Sequence, residues 1–139
     1  MAFNAQVGET IHINDVNNGH LWVILSHSFS DDTLVIVNFT ETDPYNEYLI
    51  NILPNDFPGF IKKPTTINFG NAIPKVRHRL LSNINNTSNI SATHHICPNK
   101  LIERIILSAY ESNHMGIGLQ LRLMDEYPKL KQLYDSYHV

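Results

Sequence analysis

Three short apolar segments, each closed by turn-forming residues, dominate the first forty positions and restrict what the chain can become. Ile11 and Ile13 alternate with polar neighbours over Glu9 to Asn14, which is the pattern of a half-buried strand. Asp15 to Gly19 carries turn chemistry, and Leu21 to Leu25 reads as a second, more buried strand. Ser28 to Asp32 turns again before Thr33-Leu34-Val35-Ile36-Val37-Asn38-Phe39-Thr40, the strongest strand of the three. Short strands rich in β-branched residues and separated by Asn, Gly, Asp and Ser predict an antiparallel sheet or a small barrel.

Further strands are expected over Tyr48 to Leu53 and Thr65 to Phe69, on either side of the breaker-rich turn Pro54 to Gly59. From Ala72 to Ile96 the periodicity is weak, and the stretch reads as loop with a short helical piece near Pro74 to Leu81. Helical character begins at Pro98, a residue suited to a first helical turn. Leu101, Ile102, Ile105, Ile106 and Ala109 then recur at three and four residues as one apolar stripe. Leu119, Leu121, Leu123, Met124 and Tyr127 predict a second helix ending near Pro128, with Leu130 and Tyr134 extending it past a kink. The expected class is α+β and β-rich: one domain over 1–139, with a barrel at about 8–70, a loop-rich basic segment at 71–97 and helices at about 98–135.

At 139 residues and 42 % apolar composition the chain can bury an ordinary core, and 17 % charged residues argues against disorder. One cysteine, Cys97, excludes an internal disulfide framework. The first residues, Met1 to Gln6, have neither a basic nor an apolar leader region, and no apolar run approaches a membrane span, so a cytoplasmic protein is expected. The net charge of −3 conceals segregation. Residues 1–61 contain acids and no Lys or Arg, whereas residues 62–102 contain Lys62, Lys63, Lys75, Arg77, Arg79 and Lys100 and no acid. Either an anionic partner meets the central segment, or the two segments face one another.

The order Gly8-Glu9, then Gly19-His20-Leu21-Trp22-Val23-Ile24-Leu25-Ser26, then Val35-Ile36-Val37-Asn38-Phe39-Thr40 resembles the MazF/PemK-like toxins of toxin–antitoxin modules. Asp56-Phe57-Pro58-Gly59-Phe60-Ile61 resembles a turn of a divergent branch of that family. The resemblance covers about residues 8–112. It implies an SH3-like barrel with helices, a homodimer, a cognate antitoxin, and metal-independent cleavage of single-stranded RNA. Where the family places an Arg-Pro pair, this chain has His20 and Leu21.

Cleaving RNA without a metal needs a proton acceptor for the 2′-hydroxyl, a donor for the leaving oxygen and positive charge at phosphorus. His20 is a candidate acid or base, because imidazole titrates near neutrality. Thr40 is a candidate donor to phosphate, and Glu41 a partner for His20 or a second acid–base group. Lys62, Lys63, Lys75, Arg77 and Arg79 are candidates for the RNA backbone, and Trp22, Phe57 and Phe60 for base stacking. No cofactor is called for. Two readings stand beside this one. One is a non-catalytic protein- or nucleic-acid-binding module on the same barrel. The other is a metal site built from His94, His95 and Cys97, with His78 as a candidate fourth ligand, although neighbouring side chains on an extended segment point to opposite sides.

Overall fold

The computed structural model describes residues 4–15, 18–27, 32–77 and 90–138. Five antiparallel strands form one sheet: β1 (Glu9–Asp15), β2 (Asn18–Ile24), β3 (Thr33–Thr40), β4 (Thr66–Arg77) and β5 (Ile90–Ile96), in the order β4-β3-β2-β1-β5. Three helices follow: α1 (Asn99–Glu111), α2 (Ile117–Glu126) and α3 (Pro128–Tyr137). The architecture is α+β. The sheet is not closed as a barrel: β4 and β5 are its two edges, and no pairing joins them among the described residues.

β3 forms over Thr33–Thr40 as its β-branched run predicts, and β2 begins three residues earlier than Leu21, so that His20 lies within the strand opposite Ile13. Two expectations change. Tyr48 to Leu53 makes only a single bridge, Ile52 to Thr65, because Ile52 exchanges both backbone hydrogen bonds there and its neighbours pair with no strand. The basic middle is strand in its described parts. β4 continues to Arg77 through Pro74, which an edge strand tolerates, and β5 starts at Ile90. Residues 74–77 are therefore not helical, and 78–81 lie outside the described residues.

Alternation along the strands builds a core on each face. Val23, Leu25, Val35, Val37, Phe39, Ile67 and Phe69 pack with Leu101, Ile105, Ile106, Ala109 and Leu123 of the helices. Ile11, Trp22, Ile24, Leu34 and Ile36 form a smaller cluster on the opposite face. α1 starts one residue after Pro98, which stands at its cap with extended ψ of 143°. α2 and α3 are separated by Tyr127 alone, with Pro128 opening α3, where no N–H is lost from the helix ladder. The Tyr127 hydroxyl donates to the Leu25 carbonyl at 2.6 Å and ties that corner to the end of β2.

Several residues of the resembling motifs have clear structural work. Gly8 has φ of 91°, and the Cys97 N–H donates to its carbonyl at 2.7 Å. Glu9 accepts the backbone N–H groups of Asn4 and Gln6, and the buried Ser26 hydroxyl accepts that of Val35 at 2.7 Å. Asp56 accepts the Leu53 N–H at 2.8 Å and pairs with Arg104 of α1 at 3.0 Å; the backbone bond above all holds its carboxyl below the ordinary range.

His138 fastens the end of α3 to α1, with Nε2 at 2.5 Å from Glu111 and Nδ1 at 2.7 Å from the Tyr134 carbonyl. The carbonyl first, and Glu111 with it, raise the imidazole above its usual 6.5. This tie is complete below pH 6.5 and is lost as pH rises through the raised value. Protection factors of the amides at the end of α3 should fall across that interval in the wild type, and that fall should vanish in His138→Ala.

Candidate functional site

The far end of β3 carries the groove. There β3 ends with Phe39 and Thr40, still paired with β4, Glu41 and Thr42 begin the following loop, and Thr65 enters just before β4. β2 contributes His20 and Leu21, and the segment after the Gly59 turn contributes Phe60 to Lys63. These residues surround a cavity of about 450 Å³. Continuing the β2–β3 register by two residues sets His20 across from Thr40.

The turn sequence explains the second wall. Phe60 and Ile61 both donate backbone N–H bonds to the Phe57 carbonyl, and Gly59 takes φ of 82°. Phe57 is buried in the core at 3 % exposure, stacks on Phe60 at 4.4 Å between ring centres and meets Phe39 edge-on at 6.5 Å. Phe60 is thereby held half-buried at the groove, with the exposed His95 ring at 5.4 Å on its outer side. Of the three aromatics considered for stacking, only Phe60 lines the groove; Trp22 is buried in the opposite core.

Polar contacts define what the groove offers. The Thr40 hydroxyl donates to the Thr42 carbonyl at 2.8 Å and accepts the Thr42 N–H at 3.2 Å, so its proton is already engaged. Glu41 lies 3.8 Å from Lys63, both exposed, and no hydrogen bond joins Glu41 to His20. The Thr65 hydroxyl donates to the Lys63 carbonyl at 2.8 Å and shapes the Lys63-Pro64-Thr65 bend. His20 is half-buried, and Lys62 is exposed.

Six of the residues singled out from the sequence, His20, Thr40, Glu41, Phe60, Lys62 and Lys63, thus meet in one groove. Lys75 and Arg77 do not join them. Arg77 pairs with Thr33, at the other end of β3 from Thr40, roughly 23 Å away at the usual rise per residue. Arg79 and His78 lie outside the described residues. Leu21, Phe39, Thr42, Ile61 and Thr65 were not foreseen as lining; the Thr40-Glu41-Thr42 spacing at a strand end was the available signal for Thr42.

His94, His95 and Cys97 do not converge. His94 and His95 are exposed, whereas Cys97 is buried, and burial pushes its thiol up to about 12. Among the described residues no group of three or more His, Cys, Asp or Glu side chains is placed to hold a metal ion. Nor is any helix among them long and apolar enough to cross a membrane. Comparison with protein-family models, curated proteins and solved structures gives no match to this chain.

Proposed function

We propose that the groove binds single-stranded RNA and cleaves it without a metal ion, as the toxin half of a toxin–antitoxin pair. The observation carrying this reading is the meeting of His20, Lys62 and Lys63 with Thr40 and Glu41 around one cavity. His20 takes the proton of a 2′-hydroxyl, and the oxygen attacks the adjacent phosphorus. The bond to the 5′-oxygen breaks, that oxygen takes up a proton, and the ends are a 2′,3′-cyclic phosphate and a 5′-hydroxyl. Lys62 and Lys63 offset the charge gathered on the phosphorane. When Lys63 turns to the phosphate, Glu41 loses its partner at 3.8 Å and becomes available to orient His20. An antitoxin partner and a homodimer belong to this proposal through the family resemblance.

The decisive experiment incubates a long mixed-sequence RNA with the protein in EDTA and maps the ends. Discrete fragments bearing cyclic phosphates support the reading, and intact RNA sinks it. A second reading, RNA binding without cleavage in the same groove, is favoured by the engagement of Thr40 with Thr42 and of Glu41 with Lys63. Both readings require the two lysines to meet phosphate. Replacing Lys62 and Lys63 by Ala should flatten the dependence of log affinity on log salt by about 1.4 for a single strand. Titrations at several salt concentrations check this, and an unchanged slope removes the lysines from the RNA path.

A further inference from the structure

A second, smaller depression of about 270 Å³ adjoins the groove and shares Glu41 and Thr65 with it. Its other walls are Tyr48, Ile50, Asn51, Pro64 and Thr66, so among the described residues no Lys or Arg lines it. Cations lie on one side of the shared residues and an aromatic and apolar hollow on the other. That division matches a nucleotide, whose phosphate needs charge and whose base needs a flat apolar surface with a few polar atoms.

Two details of the hollow point to an occupant. Tyr48 is 49 % exposed yet held in the left-handed region, with φ of 46°. A bulky residue rarely adopts that backbone, and strain of this kind gathers where side chains must be aimed. The loop enforcing it is well tied. Asp43 accepts the N–H groups of Tyr45 and Glu47, the Asp43 N–H donates to the Tyr48 hydroxyl at 3.2 Å, and Tyr45 stacks on His114 at 4.6 Å. The second detail is Thr66, only 4 % exposed, whose hydroxyl has no hydrogen-bond partner. A buried hydroxyl without a partner is uncommon and costly.

We infer that this hollow is a subsite for one unpaired nucleobase, stacked on Tyr48 and hydrogen-bonded through Thr66, next to the phosphate held by Lys62 and Lys63. The inference rests on the RNA reading above and adds to it where a neighbouring base is held. Asn51, exposed on the same wall, supplies an amide able to donate and accept at the base edge.

The test measures binding of fluorescein-labelled 2′-O-methyl RNA octamers, which lack the attacking hydroxyl, with an abasic site moved along the strand. In the wild type one abasic position should weaken binding about tenfold, the usual scale for losing one stacked base. Tyr48→Ala should weaken the intact octamer by a similar factor and abolish the penalty at that position alone. Tyr48→Phe, which keeps the ring, should retain the penalty. Octamer binding with equal abasic penalties in wild type and Tyr48→Ala overturns the subsite and leaves the RNA reading standing. Failure of the wild type to bind any octamer overturns both.

Discussion

Replacing His20 by Ala should reduce the rate of RNA cleavage by roughly 10²- to 10⁴-fold, the range over which a positioned acid–base group acts. His20 is half-buried in β2, paired through its backbone with Ile13, and its strand neighbours Trp22 and Val23 are buried on opposite faces. Truncation at Cβ leaves those contacts intact, so the fold and RNA affinity should change little while turnover collapses. Single-turnover cleavage read beside binding of an uncleavable RNA separates the two. Equal losses in both would mean that His20 holds RNA and does no proton transfer. Glu41→Gln should act more weakly, since that carboxylate reaches the chemistry only after leaving Lys63.

The second large effect concerns the support beneath the groove. Phe57→Ala should cost about 3–5 kcal/mol of stability, because it empties a site in the main core and strips Phe60 and Phe39 of an aromatic neighbour. Against a total of about 5–15 kcal/mol for a domain of ordinary stability, such a loss is severe. Urea unfolding should show a lower midpoint with an unchanged slope. Phe57→Leu, which refills most of the volume, should recover much of the loss. A cost below about 1 kcal/mol would mean that the neighbouring rings collapse into the gap.

How far the sequence revealed this molecule depended on the range of the contacts involved. β3 and α1 were legible within a residue or so, because one is a local run rich in β-branched residues and the other a regular apolar stripe. Of the edge strands only the start of β4 was legible, over Thr65 to Phe69. Beyond it β4 passes through Gly70, Pro74 and two register shifts, and β5 buries too little to show a pattern, so pairing with distant strands decides the rest. The same distinction applies to the site. His20, Thr40 and Glu41 could be placed at the strand ends that the resemblance marks, and Lys62 and Lys63 from the acid-free basic segment that they open. Lys75 and Arg77 shared their charge but not their location, because β4 runs antiparallel to β3 and carries them to its opposite end. Tyr48 announced nothing: its exposure and left-handed backbone arise from the Asp43 loop and have no composition signal.

β3 is buried at every position from Thr33 to Phe39 and emerges only at Thr40. Its amides should therefore be among the last in the molecule to exchange with deuterium, since opening them disturbs the packing on both faces of the sheet. The groove begins where that strand surfaces, so one bank is fastened to a stiff rod while Lys62 and Lys63 stand on the exposed bank opposite. A ligand entering between them meets a fixed ruler on one side and adjustable charge on the other. Its spacing is then measured against β3, and the lysines do the accommodating.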